Sequence, residues 1–282
     1  MDCPICTGVS IFVFDSPYKK RVFQCSSIKC QHLFVEGYDV DVGVCDRGEN
    51  TSVNKLRADR NRRIDLYGKR NELIFSKVSE KLKLSRTEPI KILDFGAGDG
   101  NLVSSFKKIH PHSIITCIEP HEVFKELLYE VADNVVTTTA ELSDDYDLII
   151  LNEVIEHLNH PVEELRRLSK LLKGNNSAVF IATPLGMTHR MLYDTSAYDT
   201  NSHLHFFTRT SLNLCCINSG LTAIDIDDCN QPIYSTITTN VFLPKLKKKL
   251  LNFILCRLLN VFSKRYILPK EHISGLCFKN EK

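Results

Sequence analysis

Ile90-Lys91-Ile92-Leu93-Asp94-Phe95-Gly96-Ala97-Gly98-Asp99-Gly100 is the stretch that decides the fold. Its first half has the pattern of a buried strand. It runs directly into a glycine-rich turn and then into an expected helix near Leu102 to Ile109. Glycine has no Cβ, so a backbone that turns there can lie against a ligand. The start of the following helix offers unpaired N–H groups and a positive dipole end. A dinucleotide site calls for Gly-x-Gly-x-x-Gly. Here Gly96, Gly98 and Gly100 are spaced Gly-x-Gly-x-Gly. Asp94, at the strand end, sets a carboxylate beside the loop, which suits the ammonium of an amino-acid moiety better than a pyrophosphate. The next acidic strand end is Glu119, a carboxylate able to accept both hydroxyls of a ribose.

Outward from this stretch, apolar runs alternate with amphipathic ones. Strands are expected at Ile114 to Ile118, Asn134 to Thr138, Tyr146 to Leu151 and Ala178 to Ala182. Helices are expected at about His121 to Val131, Val162 to Leu172 and Thr208 to Ser219, the last stopped by Gly220. Leu221 to Ile226 and Ile233 to Val241 are read as two closing strands. Strands alternating with helices imply βαβ units, hence an α/β fold with a parallel sheet covered by helices on both faces. Upstream, Leu73, Ile74, Val78, Leu82 and Leu84 recur at helical spacing in a segment rich in Arg, Lys and Asn.

The chain has 282 residues and a net charge of +2, so bulk charge points to neither nucleic acid nor membrane. The first residues lack the pattern of a secretory signal, and no stretch is apolar enough to span a bilayer. The expected location is therefore the cytoplasm, where 11 cysteines point to thiols or metal rather than disulfides.

The quoted loop, Glu119, Tyr146-Asp147-Leu148-Ile149-Ile150-Leu151-Asn152-Glu153-Val154-Ile155-Glu156-His157, Val179 to Pro184, and His203-Leu204-His205-Phe206-Phe207-Thr208 follow one another in order. This series resembles class I S-adenosylmethionine (SAM)-dependent methyltransferases from about Ile90 to Ile226. The resemblance implies a Rossmann-like seven-stranded sheet with SAM as cofactor. Asp94, Gly96, Ala97, Gly98, Asp99 and Gly100 would hold its methionine part and Glu119 its ribose. Thr139 to Leu142 would flank adenine, and Asn152 would lie beside the transferred methyl.

Glu153, Glu156 and His157 follow the fourth strand of this series, at the end of the sheet where ligands bind. On a helical turn they share one face. His203 or His205 can add a further ligand from the loop after the fifth strand. The segment resembles the Glu-x-x-Glu-His motif of metal-dependent O-methyltransferases, which implies a divalent metal at Glu153, Glu156, His157 and His203. A metal-free use is His157 or His203 as general base, and a third reading is that these residues only support the structure.

Cys3-Pro4-Ile5-Cys6 is a CxxC knuckle followed by Cys25 and Cys30. These four cysteines, with His32 as a substitute, are read as ligands of a structural Zn²⁺ in a zinc-ribbon-like segment. Similar ribbons open some sugar-associated methyltransferases. The expected organisation is a ribbon over 1–40, a helical connector over 41–88, the SAM-binding domain over 89–242 and a basic helical tail over 243–282. Lys247 to Lys249 and the apolar run Leu250 to Phe262 fit either a helix packed on the domain or peripheral membrane contact. The expected activity is O-methylation of a hydroxyl on a sugar or glycan precursor. A quinone precursor and an RNA 2′-hydroxyl are alternative acceptors. A SAM-binding interaction protein without catalysis and a nicotinamide-dependent oxidoreductase are the competing classes, and the sequence leaves the oligomeric state open.

Overall fold

The computed structural model describes residues 1–37, 52–85, 87–142, 145–186, 198, 200–225 and 272–279. Seven strands make one sheet: β4 (Lys91–Phe95), β5 (Ile114–Ile118), β6 (Asn134–Val136), β7 (Leu148–Asn152), β8 (Ala178–Pro184), β10 (Leu221–Asp225) and β11 (His272–Lys279). Their order is β10-β11-β8-β7-β4-β5-β6. The pairs among β6, β5, β4, β7 and β8 are parallel, and β11 runs antiparallel to both of its neighbours. The order reverses at β4, so the crevice beyond the carboxyl ends of β4 and β7 is the expected ligand position.

Successive residues on a strand face opposite sides of the sheet, and the core divides accordingly. Ile92, Leu148, Ile150 and Phe180 pack with α1 (Val53–Leu82), α2 (Asn101–Ile109) and α3 (Glu122–Leu128). Leu93, Ile149, Leu151 and Ile181 pack with α4 (Pro161–Lys170), α5 (Arg209–Asn218) and the N-terminal segment. Phe75 of α1 is fully buried, with its ring centroid 4.9 Å from Phe106 and 5.9 Å from Phe180. Truncating such a ring to alanine costs about 3–5 kcal/mol.

Local chemistry sets the element ends. The Ser52 side chain accepts from the Lys55 N–H at the start of α1, and Lys83 ends the helix in the left-handed region at φ 53°. Pro161 opens α4, with Glu163 and Glu164 in its first turn and Arg167 and Lys170 in its last. Thr208 and Ser211 form a reciprocal cap on α5. β6 stops at Val136 rather than Thr138, because Thr138 caps a 3₁₀ turn, Thr139–Glu141.

The N-terminal segment folds as β1 (Ser10–Asp15), β2 (Arg21–Cys25) and β3 (Leu33–Val35). β3 continues onto β9 (His205–Phe206), giving a four-stranded sheet of order β1-β2-β3-β9.

One expectation about the sheet is corrected. Ile233 to Val241, read as a closing strand, and Lys245 to Arg265 lie outside the described residues. The strand between β8 and β10 is β11, inside the stretch expected as a helical tail. Its backbone satisfies both neighbours, with Leu276 paired to Phe180 on one side and Ile224 on the other. The sheet therefore extends to Lys279, beyond the expected bound at 242. Among the described residues, no helix is long and apolar enough to cross a membrane.

Candidate active site

The loop after β4 is built from three left-handed glycines, with φ of 77° at Gly96, 55° at Gly98 and 75° at Gly100. Side chains rarely adopt this region. A Cβ on Gly96 would stand 2.6 Å from Val154 Cγ2, and one on Gly100 would stand 2.8 Å from Val131 Cγ2. Gly98 is different, because a Cβ there would meet nothing within 4 Å. The outer two glycines are packed, and the middle one faces open space.

Hydrogen bonds fix this loop to β5. The Gly96 and Ala97 N–H groups both donate to the Ile118 carbonyl, at 2.9 and 3.2 Å. Glu119 Oε2 accepts from the Gly98 N–H at 2.8 Å, and Oε1 accepts from the His121 N–H at 3.0 Å. Glu119 thus joins the loop to the start of α3, and each oxygen retains a further lone pair.

Asp94 is 2% exposed, and its Oδ2 has no hydrogen-bond partner. Burial, then the charges of Glu119 and Asp99, push its pKa up to about 7. A buried carboxylate oxygen without a donor is costly unless a cation or donor arrives. Asp99 is already engaged. Its Oδ2 accepts from Arg63 Nε at 2.9 Å and pairs with the same guanidinium at Nη2, and its Oδ1 accepts from Asn101 Nδ2 at 2.9 Å. Arg63 comes from α1, as do Arg57 and Arg60, which both pair with Glu130. The sequence gives only a hint of this clamp, a basic residue every third position along a helix.

Asn152 ends β7 beside Ala182 of β8, and is half-buried. Beyond it, the helical turn covers only Ile155–His157, and Glu153 stands before it at φ 59°. The expected common face of Glu153, Glu156 and His157 is therefore corrected. A left-handed residue breaks the helical spacing, and Glu153 is outside the metal-capable group. Glu156, His157 and His203 do converge, with one ligand atom of each within 4.8 Å of the others. Glu156 is buried; its Oε2 accepts from Thr183 Oγ1 at 2.8 Å, while Oε1 has no hydrogen-bond partner and lies 3.9 Å from His157 Nε2. Burial, then the Glu153 charge, raise the Glu156 pKa well above the carboxylate range. His157 Nδ1–H donates to the Ser202 carbonyl at 2.6 Å, so Nε2 carries the lone pair of the neutral ring. The His157 and His203 rings meet edge to face, with centroids 4.8 Å apart.

His205 and His32 stand apart from this group. His205 Nε2–H donates to the Leu158 carbonyl at 2.8 Å, and its Nδ1 lies 3.0 Å from His32 Nε2. Burial pushes His205 down to about 3 and His32 well below its ordinary value, so both rings are neutral. The reading of His32 as a substitute zinc ligand is corrected accordingly, since its two nitrogens face Ser211 and His205.

The four N-terminal cysteines of the knuckles lie together despite their uneven spacing. Cys3, Cys6, Cys25 and Cys30 place their Sγ atoms within 4.8 Å of one another. The Cys3–Cys30 and Cys6–Cys25 distances are 3.8 and 3.4 Å. Left-handed Thr7 and Gln31 turn the two knuckles. Tetrahedral Zn²⁺ with bonds of about 2.3 Å sets its sulfurs about 3.8 Å apart. The Cys3–Cys30 hydrogen bond pulls the Cys3 thiol down and pushes Cys30 up, and burial pushes Cys25 up to about 11.

Residues 66–226, more than half of the chain, match a family model described as a methyltransferase domain. The chain is 28% identical over 122 residues to malonyl-(acyl-carrier protein) O-methyltransferase of Paenibacillus sp. (strain JDR-2), a match covering 39% of this chain and 44% of that protein. The match thus spans less than half the length of that relative. The fold is similar to the plantazolicin methyltransferase BpumL in complex with SAH, at 16% identity and a TM-score of 0.50, covering 80% of this chain and 90% of that one. A second BpumL structure, with a monoazolic desmethylPZN analog and SAH, gives the same TM-score and covers 81% and 90%.

Proposed function

Because the chain belongs to the methyltransferase-domain family, we propose that it transfers the methyl group of SAM to an acceptor hydroxyl, with a sugar or glycan precursor as the first-choice acceptor. The observation that carries the cofactor reading is Asp94 Oδ2, a buried carboxylate oxygen without a donor, beside a loop whose central glycine faces open space. An amino-acid ammonium supplies the missing donor and charge, and Gly98 leaves room for close approach. The spare lone pairs of Glu119 suit ribose hydroxyls. Asp99 acts one step away, holding the loop to Arg63 and to the start of α2.

SAM, when bound, supplies a methyl group on a sulfonium, already activated towards a nucleophile. The protein aligns the acceptor oxygen and removes its proton. His157 suits the second task, because the Ser202 carbonyl holds Nδ1–H and turns Nε2 into the base. Glu156 Oε1 lies 3.9 Å from Nε2, where ionisation of this buried carboxyl would pair it with the imidazolium that results. A second reading rests on the same oxygen. Glu156, His157 and His203 offer one carboxylate and two imidazoles within 4.8 Å of one another, a donor set suited to a divalent cation. Cys3, Cys6, Cys25 and Cys30 are read as ligands of a structural Zn²⁺, which stabilises the ribbon by binding only the folded form.

A panel of nucleotide sugars, quinone precursors, short RNAs and a malonyl thioester, incubated with methyl-labelled SAM, tests the acceptor. Label on a sugar hydroxyl supports the first choice, and label on another member replaces it. His157→Ala should abolish turnover and spare SAM binding. With the cysteine-site zinc retained, turnover that requires an added divalent salt selects the cation reading; turnover indifferent to the added salt selects His157 acting alone.

A further inference from the structure

The ribbon is joined to the half of the site that would hold the acceptor. β3 pairs antiparallel with β9, matching Leu33 to Phe206 and Phe34 to His205. The Val35 N–H donates to the Leu204 carbonyl at 2.9 Å, and the Leu204 N–H donates to the Glu156 carbonyl at 2.9 Å. His203 sits in that same loop, one residue before Leu204, and Ser202 before it holds the His157 ring. The ribbon's last strand is thus hydrogen-bonded to the segment that orients two members of the Glu156, His157 and His203 group.

His32 reinforces this junction from inside the core. It is two residues from Cys30, and its carbonyl accepts the Cys25 N–H at 2.8 Å, so it belongs to the cysteine knuckle. Its ring is fully buried, with centroids 4.8 Å from Phe207 and 6.0 Å from Phe34. Chemistry fixes the direction of each hydrogen bond. The Leu158 carbonyl can only accept, so His205 donates from Nε2 and accepts at Nδ1. His32 must then donate from Nε2 to His205, and its Nδ1 accepts from Ser211 Oγ at 3.2 Å. The far end of this chain is Leu158, the residue after His157.

We propose that His32 is a positioning residue, which transmits the order of the cysteine knuckle through His205 to the His157 and His203 loops. The cofactor loop depends on other elements, namely Arg63 of α1, Ile118 of β5 and Glu119. Disturbing the ribbon should therefore loosen the acceptor side and leave SAM binding intact. This inference rests on the reading of Glu156, His157 and His203 as the acceptor site, and the experiment keeps the two separable.

The test uses the zinc-loaded full-length chain and imidazole NMR, which needs no identified acceptor. In the wild type, the His157 Nδ1–H resonance, held by the Ser202 carbonyl, should be protected from exchange. His32→Phe fills the aromatic slot but has no N–H. It should retain zinc and bind SAM within about twofold of wild type, yet lose that resonance and about tenfold in kcat on the acceptor that the panel identifies. His32→Gln, whose amide keeps a donor towards His205, should recover most of both. If His32→Phe does not fold, zinc removal from the wild type with a chelator replaces it, with the resonance lost and SAM still bound as the expected result. An unchanged His157 resonance would overturn the proposal, and so would SAM affinity falling in step with kcat. His157→Ala with full turnover would refute the acceptor-site reading itself, whatever His32→Phe does.

Discussion

At Asp94, burial and charge oppose each other. The carboxyl's pKa is raised from 3.8 to about 7 in the fold, by burial first and then by Glu119 and Asp99. The raised value means that folding favours the protonated form. Its contribution to stability is fully present below the unfolded value and is lost as pH climbs towards about 7. Asp94→Asn should therefore raise the melting temperature of the ligand-free protein at about pH 8, where the wild type bears an unpaired buried charge. Binding runs the other way, because an ammonium prefers the ionised carboxylate. SAM affinity should rise with pH through about 7 in the wild type and stay flat, about tenfold weaker at the upper end, in Asp94→Asn. Calorimetry at two pH values distinguishes these outcomes, and flat wild-type affinity would contradict the assignment. The glycines separate packing from binding in the same way. Gly96→Ala meets Val154 at 2.6 Å and should lose both stability and SAM binding. Gly98→Ala meets nothing and should keep most of its melting temperature, apart from about 1–2 kcal/mol of left-handed strain, while its methyl group weakens SAM binding. Equal loss of stability in the two variants would remove that distinction.

At the scale of elements, α1 closes over the cofactor side. Arg63 reaches Asp99, whose side chain is only 3% exposed. Arg63→Ala leaves that carboxylate buried without its cation, at a cost of about 1–3 kcal/mol. Asp99→Asn in the same chain should restore much of the loss, and simple additivity of the two melting shifts would show that the pair is uncoupled. The central strands are legible in the sequence because β7 and β8 are nearly continuous apolar runs of strand length, and β4 and β5 are apolar apart from Lys91, Asp94 and Thr116, as strands buried on both faces tend to be. β11 is harder to read. Gly275 interrupts it, and both its partners lie far back in the chain, so its assignment depends on pairing rather than on its own pattern. The loop glycines and Glu119 are visible because their chemistry is local. Glu153 misleads, since helical spacing carries no sign of its left-handed backbone. His32 misleads for a related reason. Proximity to two cysteines suggests a ligand, and only the register of β3 on β9 turns the ring towards His205.

Across the whole molecule, the seven-stranded sheet carries the glycine loop on β4 and β5, while the four-stranded N-terminal sheet shares β9 with the loop that bears His203. The two halves of the site thus draw on different supports. Cys3→Ser should reduce zinc content and melting temperature together, and no zinc in either the wild type or the variant would remove the metal from the ribbon. The central claim is that Asp94, Gly98 and Glu119 form a SAM pocket. Its most direct test is calorimetric titration of the folded protein with SAM, with SAH and NAD in parallel. Saturable one-to-one binding of SAM and SAH, with no heat from NAD, is the predicted result. No SAM binding at millimolar concentration, with the circular dichroism of an intact fold, would contradict it.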